Sequence, residues 1–163
     1  MKLYLVRHAT AEDANPATDD KDRTLTDSGK TKMMRAAEGL RKMKIRPLLI
    51  LTSPLKRAQE TAEILANGLV GVRVEVMAEL APGVDAQIVL EALRSHARHK
   101  SVVLVGHQPG LGQLTSLLLT GSDRRCDFEF KKGGVACLDA DFSDHPARGV
   151  LEWFATPKLL RRI

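Results

Sequence analysis

Leu3-Tyr4-Leu5-Val6-Arg7-His8-Ala9-Thr10 is a short apolar run that ends abruptly in an arginine, a histidine and two small residues. The run is long enough for a buried strand and too short for a helix. A second stretch repeats the design: Val102-Val103-Leu104-Val105-Gly106-His107, again apolar and again ending in histidine. A third, Leu48-Leu49-Ile50-Leu51-Thr52-Ser53-Pro54, runs into a helix start that carries Arg57. In open α/β sheets, ligands bind just beyond the carboxyl ends of strands. Two histidines and two arginines at such ends are what a phosphoryl-transfer site needs.

The pattern between these runs alternates strand with helix. Strand one covers Lys2 to Val6, and a polar segment from Ala11 to Arg23 reads as a loop without structure of its own. Thr26 caps a first helix whose inner positions are Met33, Ala36, Ala37, Leu40 and Met43. Leu48 to Thr52 is the second strand. Ser53 and Pro54 form a helix start, Ser as N-cap and Pro at the first helical position. Ala58, Ala62, Ile64 and Leu65 are expected to be buried, with Asn67-Gly68 as the stop. Val72 to Val76 alternates as a strand at an edge. Asp85 caps a third helix with Ile88, Val89, Ala92 and Leu93 facing inward. Ser101 to Gly106 is the fourth strand, and Pro109-Gly110 opens a helix stopped by Gly121. Gly134 to Asp139 and Val150 to Ala155 are two further strands joined by a polar turn, which predicts one antiparallel member. The expected fold is α/β: a three-layer α/β/α sandwich with a mostly parallel central sheet.

Composition narrows the classes. At 163 residues the chain is one domain, residues 1–163, with enough length for a sizeable core. No apolar run approaches the roughly 18 residues of a membrane span. Met1-Lys2-Leu3-Tyr4-Leu5 enters the first strand directly and lacks signal-peptide features. A cytoplasmic location is the expectation, with no membrane partner. The net charge of +5 favours acidic or phosphorylated partners. It does not point to nucleic acid, because the basic residues are dispersed and only one Trp and one Tyr could stack on bases. Cys126 and Cys137 form neither a disulfide framework nor a metal motif.

The chemistry follows from the residue types. Guanidinium groups hold phosphoryl oxygens in a forked, permanently charged geometry. Arg7 sits at a strand end. Arg57 falls in the first turn of a helix, where its charge adds to the positive end of the helix dipole. Read alone, Arg57 is a surface residue paired with Glu60, and either histidine is a structural residue with its bonds satisfied. Together they support more. His8 could attack phosphorus through a ring nitrogen, provided the imidazole is neutral and its other nitrogen is hydrogen-bonded. His107 would stabilise transition-state charge. A zinc site is disfavoured, since there is no HExxH motif and the cysteines are isolated.

Leu5-Val6-Arg7-His8-Ala9, then Ser53-Pro54-Leu55-Lys56-Arg57-Ala58-Gln59-Glu60-Thr61-Ala62, then Val105-Gly106-His107-Gln108-Pro109 resemble, in order and spacing, the histidine phosphatase superfamily. Arg23-Thr24-Leu25-Thr26-Asp27-Ser28-Gly29 and the small size are similar to its SixA-type phosphohistidine phosphatases. The resemblance implies a phosphoglycerate mutase-like fold, His8 as the phosphorylated nucleophile, and Arg7, Arg57 and His107 as the rest of the phosphate pocket. It implies that Arg23 lies near the site and that Asp20 matches a nearby acidic residue, a role for which Asp19 and Asp22 compete. Ala9 stands where the superfamily usually has glycine.

The resemblance leaves the substrate open. Phosphate esters need a general acid for the leaving alkoxide. Glu79 lies where one would come, although its neighbours do not form the usual acid motif and its bland reading is a solvated loop carboxylate. Phosphohistidine leaves as an imidazole, a far weaker base. The first expectation is therefore a metal-independent phosphatase acting on phosphohistidine of a partner protein, an HPt domain or a phosphocarrier, with no cofactor and with inorganic phosphate or sulfate as pocket ligands. A small-ester phosphatase is the second. A non-catalytic phosphate-binding module is the third.

Overall fold

Each apolar run is a strand because its side chains point alternately to two faces and both faces are covered. In the computed structural model, which describes residues 1–143 and 145–163, β1 (Lys2–Arg7) sends Leu3 and Leu5 into one core and Val6 into the other. β2 (Leu49–Thr52) separates Leu49 and Leu51 from Ile50 in the same way. β3 is Arg73–Val76. β4 (Ser101–Gly106) separates Val102 and Leu104 from Val103 and Val105. β5 (Val135–Asp141) and β6 (Arg148–Ala155) complete a six-stranded sheet in the order β3-β2-β4-β1-β5-β6. The pairs from β3 through β1 are parallel, and β5 runs antiparallel to both of its neighbours.

Two helices cover the first face: α3 (Ala86–Arg94) and α4 (Gly110–Thr120), with Leu90, Leu93, Leu114 and Leu118 in the core. Three cover the second: α1 (Asp27–Lys42), α2 (Lys56–Leu69) and the short α5 (Pro157–Leu160), with Met33, Leu40, Leu65 and Leu160 buried. Each such leucine contributes about 1.5–3 kcal/mol on burial. The result is the expected three-layer sandwich with a mostly parallel sheet. Among the described residues no helix is long and apolar enough to cross a membrane.

Several local expectations are corrected. Leu48 is exposed and precedes β2. Ile88 is exposed, because the narrow inner face of α3 takes Ala86, Val89, Leu90 and Leu93, at the i, i+3, i+4, i+7 spacing. Ser53 is not the cap of α2, which starts at Lys56 after Leu55. Gly68 does not stop α2. A Cβ there would lie 2.8 Å from the Ala37 Cβ, so the glycine lets α2 approach α1, and the helix ends only at Val70 and Gly71, both at positive φ. The Ala11 to Arg23 segment does have structure: Ala11 bridges to Leu25, and Asp20–Asp22 form a 3-10 turn capped by Asp19. The polar turn expected between β5 and β6 includes Asp144, which lies outside the described residues.

The start of α1 is pinned against the segment that leaves β1. The Thr26 backbone N–H donates to the Thr10 carbonyl at 3.0 Å, and the Thr26 side chain accepts from the Gly29 N–H at 2.9 Å. Gly29 has no room for a side chain, since a Cβ would sit 2.2 Å from the Thr10 oxygen. Gly29→Ala is expected to cost about 2–4 kcal/mol in urea unfolding. Gly110→Ala, which meets nothing within 4 Å, should stay within about 0.5 kcal/mol.

Candidate active site

Parallel register brings three strand ends to one edge of the sheet. Arg7 is level with Gly106, and Thr52 with Val105, so the next residues, His8, His107 and Ser53, fall side by side. Backbone bonds continue the ladder past the strands: the His8 N–H donates to the Gly106 carbonyl at 3.1 Å and the Ser53 N–H to the Val105 carbonyl at 2.9 Å. The imidazoles of His8 and His107 end with centroids 5.0 Å apart. Both are buried, at 7% and 6% exposure.

His8 is held by its own chain. Its Nδ1 lies 2.8 Å from the Ala9 carbonyl, so Nδ1 carries the hydrogen and Nε2 keeps its lone pair. Burial, with the charges of Arg57 and Arg7, pushes its pKa down to about 4, although the Ala9 bond opposes the shift. Near neutral pH it is an uncharged imidazole with one basic nitrogen. Ala9 is fixed in turn, its N–H donating to the Thr61 hydroxyl at 3.1 Å. Ala9 needs no glycine-like backbone: among the described non-glycine residues only Lys44 and Val70 have positive φ.

His107 is held from β2. Its Nε2 lies 2.8 Å from the Ser53 Oγ, which also accepts the Leu55 N–H at 3.3 Å. This contact fixes the position of the ring against the end of the second strand. Nδ1 is buried and has no protein partner. Burial and the neighbouring His8 and Arg57 push the His107 pKa down to about 3.

Both arginines lie near these rings, Arg57 buried and Arg7 half-buried. Arg7 donates through Nη1 to the Phe130 carbonyl at 2.6 Å, and Arg57 is only 5% exposed. Arg57 does not pair with Glu60, which instead accepts the Leu25 N–H at 2.7 Å. Its partner is Asp20: Nη1 donates to the Asp20 carbonyl at 2.8 Å and Nη2 to the carboxylate at 3.1 Å. The other carboxylate oxygen takes Arg23 Nε at 2.8 Å, so Asp20 bridges two guanidiniums. Desolvation works against this carboxylate, but the bonds from Arg23 and Arg57 outweigh it and hold Asp20 below its usual range. The Nε–H groups of Arg7 and Arg57 are buried without protein partners. With His107 Nδ1 and Gln108 Oε1 they are four buried side-chain polar atoms without a hydrogen-bond partner among the described residues, a costly arrangement.

The structure thus brings Arg7, His8, Arg57 and His107 together and ties Asp20 and Arg23 to Arg57. Asp19, a competitor for the acidic role, caps the 3-10 turn instead. Glu79 lies in a short 3-10 turn after β3 and lines a cleft with His107, without a hydrogen bond among the described residues. Ser53 and Thr61 are the residues that sequence reasoning missed: Ser53 reads as a helix start and Thr61 only as part of a motif, and the fold sets Ser53 against His107 and Thr61 against the Ala9 N–H. Among the described residues no three His, Cys, Asp or Glu side chains gather to hold a metal ion.

Neutral buried histidines make stability depend on pH. The folded pKa values of about 4 and about 3 lie below the ordinary 6.5. Between these limits the unfolded chain binds more protons, so stability is full above 6.5 and is lost as pH falls toward 4. In phosphate-free buffer, the urea-unfolding free energy is expected to drop by about 2 kcal/mol or more between about pH 7 and about pH 5. The His8→Gln/His107→Gln double variant should lose most of that slope.

The model of the Histidine phosphatase superfamily (branch 1) matches residues 3–82. An uncharacterized protein of Picosynechococcus sp. is 37% identical over 140 residues, covering 85% of this chain and 84% of that protein. Phosphohistidine phosphatase SixA of Escherichia coli (strain K12) is 29% identical over 161 residues, covering 96% and 94%. The solved structure of the protein histidine phosphatase SixA complexed with tungstate superposes with a TM-score of 0.86 at 27% identity, covering 97% of this chain and 98% of that one. A mycobacterial glucosyl-3-phosphoglycerate phosphatase, at 24% identity and a TM-score of 0.69, shares the fold alone. By sequence and by fold, the chain belongs to the histidine phosphatase superfamily, and its likeness within it is to the SixA-type members.

Proposed function

We propose that this phosphatase removes phosphate from phosphohistidine on a partner protein, through a covalent intermediate on His8 and without a metal ion. The observation that carries the reading is the His8 ring: buried, uncharged near neutral pH, Nδ1 tied to Ala9 and Nε2 left to attack. In the first step the Nε2 lone pair forms a bond to phosphorus while the P–N bond to the partner's imidazole breaks, and that ring, protonated on its other nitrogen, takes the electron pair and departs neutral. In the second step water attacks the phosphorus and gives a proton to solvent, the bond to Nε2 breaks with its electron pair returning to Nε2, and phosphate leaves.

Arg7, Arg57 and His107, gathered around His8, hold the non-bridging oxygens. Ser53 holds the His107 ring in place through its contact with Nε2. Asp20, anchored by Arg23, orients Arg57. The likeness to a phosphohistidine phosphatase over nearly the whole chain supports the P–N substrate. So does the chemistry of the leaving group, which departs without a strong acid. A second reading, hydrolysis of a small phosphate ester, is favoured by Glu79, which lines the cleft beside His107 and could protonate an alkoxide.

A side-by-side turnover assay separates the two. Phosphate release from a phosphohistidine protein should exceed release from a panel of phosphate esters, survive EDTA, and be unaffected by Glu79→Gln. His8→Ala is expected to lower it about 10³-fold or more, and Arg57→Ala about 100-fold. Enzyme quenched during turnover should carry acid-labile, base-stable phosphate that His8→Ala lacks. Fast ester turnover that collapses in Glu79→Gln would favour the second reading.

A further inference from the structure

A second cleft opens beside the strand end that carries the nucleophile. Ala9 and Thr10 form one wall, and Lys32, Lys132 and Arg161 bring three cations to it from three separate segments. No Asp or Glu lines it. Among the described residues none of the three makes an ion pair, whereas Lys2, Lys21, Arg73, Arg94 and Lys131 all do. Three cations facing one cleft with no acid in its lining set a local positive field.

The cleft is also fixed relative to the chemistry. The N–H of Gly133, next to Lys132, lies 3.1 Å from the carbonyls of both Arg7 and His8. Lys132 is close enough for its charge to act on the His8 ring. A separate cleft has acidic side chains in its lining: Glu12, Asp13 and Asp22 line it together with Arg23.

We infer that the Lys32, Lys132 and Arg161 cleft docks acidic side chains that flank the phosphohistidine of a partner protein. The inference rests on the phosphohistidine reading above and adds the polarity of the partner. A small phosphorylated molecule would end inside the phosphate pocket and leave the three cations unused. A phosphohistidine standing on a protein surface carries its neighbours with it, and acidic ones among them meet the three cations beside Ala9 and Thr10.

The test uses two synthetic peptides phosphorylated on one histidine, one flanked by Asp and Glu and one by Ser and Gln, with phosphoramidate as a third substrate. The intact enzyme is expected to turn over the acidic peptide with a kcat/KM about five- to tenfold above the neutral one, through KM. The preference should fade as salt rises from about 50 mM to about 0.3 M. Lys32→Gln/Arg161→Gln should abolish the preference and leave phosphoramidate turnover unchanged. Equal rates on the two peptides, or an undiminished preference in the double variant, would overturn the docking assignment alone. Failure of the unmodified enzyme to hydrolyse any of the three P–N substrates would overturn the phosphohistidine reading, and this assignment with it.

Discussion

Desolvation of two imidazoles among guanidiniums is the constraint on which the site depends. If His8 and His107 were protonated, four cationic side chains would crowd one largely buried region, opposed by Asp20 and, at Arg7, by Glu129. Burial removes that conflict by keeping both rings neutral. The same burial leaves the Nε–H groups of Arg7 and Arg57 and the Nδ1 of His107 without partners among the described residues, at a desolvation cost.

The sheet makes this arrangement possible. Parallel strands end in step, so β1, β4 and β2 deliver His8, His107 and Ser53 to neighbouring positions without long loops. The antiparallel β5 adds a brace: the segment before it supplies the Phe130 carbonyl to Arg7 and the Gly133 N–H to the end of β1. The His8 ring is held by the Ala9 carbonyl and the His107 ring by the Ser53 hydroxyl just past β2, and rings fixed in this way provide the preorganisation that electrostatic stabilisation requires.

The layers of the fold and the core of the site were legible in the sequence, and for a physical reason. Buried parallel strands read as continuous apolar runs, and a histidine or arginine at the end of such a run stands out against it. Arg57 was legible as a phosphate ligand, yet its partner was not. The competing Glu60 lies three residues along the same helix, whereas Asp20 reaches Arg57 only through the folding of a polar loop. Ser53 misled for a related reason: Ser-Pro is a strong helix-start signal, but here the hydroxyl turns to His107 and the helix begins later. Ile88 and Gly68 failed where a local pattern had to yield to the packing of one helix against the sheet or against another helix.

The central claim is an uncharged His8 with its hydrogen on Nδ1 and its lone pair on Nε2. Selective ¹⁵N labelling of histidine, with a pH titration by NMR in phosphate-free buffer, tests it most directly. The account requires the Nδ1–H tautomer and a midpoint near 4, well below the ordinary 6.5. A His8 ring that titrates near its ordinary value, or that carries its hydrogen on Nε2 at neutral pH, would contradict it.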